Sequence, residues 1–244
     1  MKTKNLLLLQ KITFILIIFQ LCTSCMYAEP FGIRGNGVKA TEKREVGNFS
    51  RLDVSAGFEV ILTHGSQPEV VIEADDNLMR TIITKVEGKK LNIYVKGSVS
   101  PRSPMKAYIT FVNLSEIELS GAVKLHSPEL LDFDRLLLDL SGASAIEMET
   151  RIDALKADVS GASLMNLKGS ANKADLECSG VSNVKMVDFQ VENMNLDLSG
   201  ASSAEVWVTQ NLKVDASGAS KARYKGDPRI AVDTSGASSV KKVD

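Results

Sequence analysis

Aromatic side chains are scarce in this sequence, at 5% of 244 residues with a single tryptophan. A sugar-binding groove usually shows exposed aromatics, and here Trp207 and Tyr224 are the candidates, so a glycan cleft has little to work with. Histidine is scarcer still. His64 and His126 lie far apart, and no Ser/His/Asp or Cys/His grouping forms around either, which leaves nucleophilic catalysis without its base. Three cysteines, Cys22, Cys25 and Cys178, are too few for a disulfide framework. An excess of either charge is missing too. Lys and Arg number 29 against 30 acids, and without a basic footprint nucleic acid is excluded as a partner.

The long apolar run is confined to the beginning. Lys2 and Lys4 make a basic start, Lys11 follows, and Ile12, Phe14, Ile15, Leu16, Ile17, Ile18, Phe19 and Leu21 form a stretch of signal-peptide length, short for a membrane span. It closes in Leu21-Cys22-Thr23-Ser24-Cys25, which resembles the lipobox of bacterial lipoproteins, with Cys22 standing where that pattern has Leu. The expectation is a signal peptide over 1–24, cleavage before Cys25, and a diacylglycerol on the Cys25 thiol. Ordinary secretion and an uncleaved anchor are the alternatives. Lipidation makes the membrane a partner through the anchor. It places the protein on the outer membrane, facing periplasm or exterior. The exported body then carries a net charge of −4, and Cys178 has no cysteine to pair with. Residues 25–45, with Gly32, Gly35 and Gly37, read as the lipidated cysteine and a spacer, and 46–244 as one domain.

What is abundant is self-similarity. Ser-Gly recurs at Ser120, Ser141, Ser160, Ser179, Ser199, Ser217 and Ser235, at intervals of 18 to 21 residues. The columns around it agree. One residue before Ser stand Leu119, Leu140, Val159, Cys178, Leu198, Ala216 and Thr234. Three before stand Ile117, Leu138, Ala157, Leu176, Leu196, Val214 and Val232. Apolar residues alternating with polar ones give period two, a half-buried strand. Ser-Gly-Ala-Ser interrupts it, with Gly free to turn and Ala small enough for an inside corner. A second short strand follows, as in Ala145-Ile146-Glu147-Met148. One unit cannot bury its own apolar face, but stacked units can. In-register stacking alone makes every coil demand the same residue, so the pattern predicts an all-β parallel solenoid of about 18–21 residues per coil over 113–244. A sandwich of antiparallel hairpins is the competing arrangement. Cys178 falls in a core column and reads as a small buried hydrophobe.

Residues 46–112 keep strand patterns without the clean repeat. Leu52 and Val54 lead into Ser55-Ala56-Gly57, a degenerate first unit. Val70, Ile72 and Ala74 make another strand, as do Leu91, Ile93 and Val95 after the Glu87-Gly88-Lys89 turn. Asp75 to Arg80 can cap and start a short helix. The expectation is irregular coils continuous with the repeat, plus a projecting hairpin. Lys241 and Lys242 charge the last edge, a defence against strand addition.

Gly35-Asn36-Gly37, then Arg44, Val46, Phe49, Leu52 and Val54, then Gly57, Val60 and Leu62, resemble the opening of the putative auto-transporter adhesin head GIN domain family. Ser217-Gly218-Ala219-Ser220, Tyr224-Lys225-Gly226-Asp227-Pro228 and Ser235-Gly236-Ala237-Ser238 resemble its close. The resemblance spans about 33–242. It implies a right-handed parallel β-helix in envelope or secreted proteins of Gram-negative bacteria, many of them lipoproteins, and supplies no catalytic or ligand residues.

One column stands out. Two residues before each Ser lies an acid: Glu118, Asp139, Asp158, Glu177, Asp197, Asp215 and Asp233. Sitting between inward residues, it points outward, so the acids should form one exposed stripe, with Lys156 and Lys213 as cationic partners on the same face. The plain reading is a solvated sheet face. The functional alternative is a weak site for divalent cations, which favour several carboxylate oxygens. A uniform ladder lacks the two unequal carboxyls that glycosidic cleavage requires. These observations point to a non-enzymatic, adhesin-like or scaffolding envelope lipoprotein without a cofactor, its ligand a protein or a glycan. A carbohydrate-binding or carbohydrate-active β-helix and an envelope-maintenance lipoprotein with a protein partner are the alternatives.

Overall fold

The structure, a computed structural model, describes residues 32–243; the leader, Cys25 and the first third of the spacer lie outside them. Wherever the sequence alternates, it forms strand, but the strands are longer than the repeat suggests. Each runs almost from one Ser-Gly corner to the next: Lys124–Leu140, Ala145–Val159, Leu164–Cys178, Asn183–Leu198 and Ser203–Ala216. The two short strands expected per unit are therefore one strand with a bend. In Ala145–Val159 the buried residues are Ile146, Met148, Thr150 and Ile152, then Leu155, Ala157 and Val159. The inward parity changes at Asp153-Ala154, and there the pairing to both neighbouring coils skips Asp153. A coil thus closes through one parity bend and one Ser-Gly corner.

Successive coils pair parallel and in register. Leu138 faces Ala157, then Leu176, Leu196, Val214 and Val232 down the stack. This rules out the antiparallel sandwich and gives a β-solenoid of about seven turns. The inward columns are sealed: Leu140, Val159, Leu198, Val184 and Val214 are fully buried. Burial of one such side chain stabilises by roughly 1.5–3 kcal/mol, and because the columns are continuous each coil supplies half of its neighbour's core.

The corners correct one detail of the sequence reading. The alanine after Gly is exposed at Ala143, Ala162 and Ala201. The following serine is the inside residue: Ser144, Ser163, Ser182, Ser202 and Ser220 are buried. Turned inward, its hydroxyl bonds locally where it can, as Ser144 Oγ does to the Ser141 carbonyl at 2.8 Å. Glycine is fixed at the corner by two constraints acting together. Gly161 holds φ at +70°, and a Cβ there would stand 2.4 Å from the carbonyl oxygen of Gly142 in the coil above. The same contact recurs down the ladder, so corner carbonyls stack directly on corner glycines. Ala56 opens the ladder at φ 87°, where pairing to the coil above ends at Ser55 while the Ala56 carbonyl accepts from the Ala122 N–H of the coil below at 2.6 Å.

The first half joins the stack out of sequence order. Arg51–Val54 lies between Lys90–Val95 and Glu116–Leu119, parallel to both. On the other side of the core Phe58–His64 lies between Met105–Phe111 and the start of Lys124–Leu140. The later coil is therefore inserted above the earlier one. Beyond it the pattern turns antiparallel: Glu69–Asp75 pairs Met105–Phe111, Lys39–Arg44 pairs Glu69–Asp75, and Ile82–Glu87 pairs Lys90–Val95. The expected hairpin exists, yet it extends the sheet rather than projecting. The expected helix is a 3-10 turn, Asp76–Thr81, with Leu78 and Met79 buried over the end of the core. The spacer reading of 25–45 is also corrected, because Lys39–Arg44 is a strand of the sheet and the fold begins before Val46.

Asp75 holds this cap together. It is fully buried, and its Oδ2 accepts from the backbone N–H of Arg102 at 2.7 Å and of Ser103 at 3.3 Å. Burial works to raise its pKa, but the donated hydrogen bonds outweigh it and hold the carboxyl below its ordinary value. Gly35 passes so close that a Cβ would overlap Asp75 Oδ2.

The other end has no such cover. Arg229–Thr234 pairs only Ser203–Ala216, and Ser239–Lys242 pairs only Lys221–Lys225. Ile230 and Val232 occupy inward columns, yet they are 41% and 47% exposed because no further coil follows among the described residues.

Candidate functional site

The acidic column is where the sequence placed it. Glu118, Asp139, Asp158, Glu177, Asp197, Asp215 and Asp233 face one another in successive coils, and all are exposed or half-buried. The structure adds an eighth rung that the repeat does not mark. Asp53 pairs Glu118, and Asn92 then pairs Asp53. Only the out-of-order stacking brings Asp53 there, although the degenerate corner Ser55-Ala56-Gly57 was the available signal.

The ladder is not electrically uniform. At its upper end Lys90 Nζ lies 2.5 Å from Glu118 and 3.8 Å from Glu116. Lower down, Lys213 Nζ lies 2.6 Å from Asp215. Lys213 was expected from the sequence, whereas Lys90 arrives only through the inserted coil. Asp53 is pushed up, first by burial and then by Glu118, with Lys90 opposing. Asp139 is pushed up by burial and then by Asp158 and Glu118. Glu118 is held low by a hydrogen bond to Glu116 and then by Lys90, while Glu116 rises in turn. Like charges at strand spacing repel by roughly 1 kcal/mol in water, less in salt, which fits the upward directions at Asp53 and Asp139 but not Glu118, where the hydrogen bond and Lys90 prevail. Among the described residues no three acids, histidines or cysteines converge as a metal site would require. The carboxylates stand in a row, so a cation could meet them only in succession along a flat face.

The other outward columns bond across coils. Arg151 Nε donates to Asp132 at 2.8 Å, Asn172 to Asp153 at 3.0 Å and Arg223 to Glu205 at 3.1 Å. Surface depressions are half-open to solvent. One of about 580 Å³ is bordered by Glu59, His126, Glu147, Leu164 and Asn166, and one of about 410 Å³ by Asp175, Asn195, Lys213 and Ile230. The two histidines come onto paired strands, His126 opposite Ile61. His126 is half-buried in an outward column. His64 ends its strand, with its ring edge-on to Phe111 at 5.4 Å and Nε2 3.2 Å from the Val112 carbonyl. Trp207 is half-buried beneath Lys225, whose Nζ sits 4.4 Å from the ring centroid, so it is no free sugar platform. Tyr224 packs against the core. Cys178 is 2% exposed, and burial, then Asp158 and Asp197, push its thiol up to about 12. Such a thiol is inert at neutral pH. Cys25 lies outside the described residues.

Among the described residues no helix is long and apolar enough to cross a membrane. A search of curated proteins finds no match. Solved structures are similar over almost the whole fold. A putative adhesin from Bacteroides fragilis is 21% identical with a TM-score of 0.83, over 87% of this chain and 100% of that one. A putative lipid binding protein from Parabacteroides distasonis is 20% identical at 0.75, over 87% and 99%. A putative adhesin from Parabacteroides merdae is 22% identical at 0.69, over 88% and 100%. Likeness at these identities speaks for the fold. Family follows from the sequence profile described as "Putative auto-transporter adhesin, head GIN domain", which matches residues 48–228. The corner glycines from Gly121 to Gly218, the inward columns down to Ala222 and the inserted first coil fall inside that match, and this chain belongs to that family.

Proposed function

We propose that this protein is a non-enzymatic surface module of adhesin type, exported and held at the outer membrane by a lipid on Cys25. The observation that carries the reading is the solenoid's outer surface: ladders of repeated polar side chains on a rigid parallel stack, with the unequal acid pair Glu116 and Glu118 beside Lys90 on the sheet face rather than in a closed pocket. Such a surface suits multivalent contact with an extended partner better than turnover of a small one, since chemistry needs a pocket that excludes water and unequal acid and base. Membership in an adhesin family points the same way, toward an exported or surface protein. The anchor follows from the leader and the Leu21-Cys22-Thr23-Ser24-Cys25 sequence.

The test combines surface proteolysis of intact cells with a pull-down from the lipidated form. Cleavage of the protein on intact cells, with recovery of a defined protein or glycan, is the expected result. In parallel, Cys25→Ser should move the protein from the membrane to the soluble fraction, because one acylated cysteine supplies the anchor. Cys25→Ser protein that stays membrane-bound and keeps its leader would sink the anchor assignment.

A further inference from the structure

The two ends of the solenoid differ in a way that the ladder does not explain. The first is covered by antiparallel strands and the Asp76–Thr81 turn; the last leaves Arg229–Thr234 with one bare edge. On that edge the inward Ile230 and Val232 remain 41% and 47% exposed. The residues directly above them, Leu212 and Val214, are 2% and 0% exposed. A six-residue edge with apolar residues on its inner side is a template for another strand.

We infer that this edge is covered by a second copy of the same chain, its Arg229–Thr234 lying antiparallel to the first about a twofold axis at Ala231. Two observations select the partner and the register. The Ser235 N–H donates to the Ala216 carbonyl, inside the stack. By strand alternation, Ala231 and Asp233 face the stack as well, while Ile230, Val232 and Thr234 aim N–H and C=O off the free edge. A twofold pair must therefore set even-numbered residues opposite even-numbered ones. Among those registers, the one centred on Ala231 places Arg229 opposite the second copy's Asp233, twice. On the inner side it places Ile230 opposite Val232, twice, so the apolar columns run on across the junction. A shift of two residues either way separates Arg229 from Asp233, and a shift of four toward the C-terminus opposes Asp233 to itself. Arg229, Ala231 and Asp233 are all exposed, so the charges are available on the outer face.

Ser239–Lys242, the other strand at this end, carries Lys241 and Lys242, with Lys242 paired to Asp227. Its charge resists the same kind of addition, which confines the junction to Arg229–Thr234. A junction of that size is smaller than a standard protein interface, so the dimer belongs in the micromolar range or weaker. Closure about a twofold with the other end capped stops assembly at two copies. The dimer stands on the edge geometry alone. Its use in joining two neighbouring surfaces rests on the adhesin reading above, and failure of the Cys25→Ser fractionation would remove that use without touching the dimer.

The experiment is sedimentation velocity on the exported Cys25→Ser chain across micromolar to sub-millimolar concentration. The expected result is a monomer–dimer equilibrium. Arg229→Asp leaves two acids on the edge and Asp233→Arg leaves two arginines, so each alone should weaken the dimer more than tenfold. Mixed in equal amounts, these two variants should recover it as a heterodimer, and the double variant Arg229→Asp/Asp233→Arg should recover it as a homodimer. Recovery on mixing also shows that both single variants are folded. Three results overturn the proposal: a wild-type monomer throughout, a dimer indifferent to the single changes, or failure of the mixture or the double variant to recover.

Discussion

The repeat and the N-terminal half build one continuous core by opposite means. From Glu116 onward each coil follows the last in space as in sequence, and each position repeats the demand of the one above it. Before Glu116 the coil carrying Lys90–Val95 and Met105–Phe111 sits above the earlier coil, and antiparallel strands close the end. A strict repeat can be extended but cannot finish itself, because every coil it makes exposes another apolar face. Capping needs segments that break the repeat, and the N-terminal half supplies them. The C-terminal end has no counterpart among the described residues, which is why Ile230 and Val232 are exposed.

This contrast can be broken most forcefully inside the repeat. Leu196→Asp should destabilise by about 4 kcal/mol or more, since it deletes a buried side chain and places a carboxylate among Leu176, Val214 and their neighbours. Several coils should unfold together, because each shares its core with the next. Asn183→Asp, in an exposed position, should stay within about 0.5 kcal/mol. Urea denaturation followed by circular dichroism checks both, and equal losses would overturn the inward and outward assignment.

The corners sharpen the comparison. Gly161→Ala meets both a positive φ and the Gly142 carbonyl at 2.4 Å, and should cost about 3 kcal/mol from strain and crowding together. Ala56→Gly, at the equivalent first corner in the non-repeating half, should change stability by less than about 1 kcal/mol, because φ 87° already suits glycine. The same denaturation series reads both.

Acid should loosen the cap before the repeat. Asp75 has a folded pKa below its unfolded value, so its contribution is present above the unfolded pKa of about 3.9 and is lost as pH falls through the folded one. Amide exchange measured down the pH scale should show Arg102 and Ser103 losing protection ahead of the coils from Lys124 onward. Asp75→Asn should remove that pH dependence. Simultaneous loss across the molecule would show that the cap is not a separate unit of stability.

The smallest effect belongs to the ladder. Asp139 is raised by burial and by its acidic neighbours, so its charge opposes folding above its folded pKa, and neutralising it removes a penalty. The triple change Asp139→Asn, Asp158→Asn and Glu177→Gln should leave the melting temperature level or raise it by roughly 2 °C. Millimolar calcium should act on the wild type as equal ionic strength of sodium chloride does. A calcium-specific rise of several degrees that the triple variant loses would instead make the ladder a cation site.

The inward columns, the outward acids and the corner glycines were legible in the sequence because each depends on local alternation that recurs in every unit. Ser144 and its successors were misjudged for a local reason. Ser-Gly-Ala-Ser offers two small residues for one inside position, and composition does not say which the positive φ at Gly turns inward. Asp53 and Lys90 were missed for a non-local one. Their place beside Glu118 depends on a coil inserted out of order, and no spacing along the chain encodes that insertion.

By itself, then, the sequence determined the period, the sidedness of every strand in the repeat and the stacking of like on like, since side-chain alternation and the burial of apolar columns act within a coil and its copies. Tertiary structure alone decided which segments close the first end and which strand edge is left bare at the last. Those outcomes depend on long-range pairing, where many strands could satisfy the same backbone groups and only the complete fold shows which do.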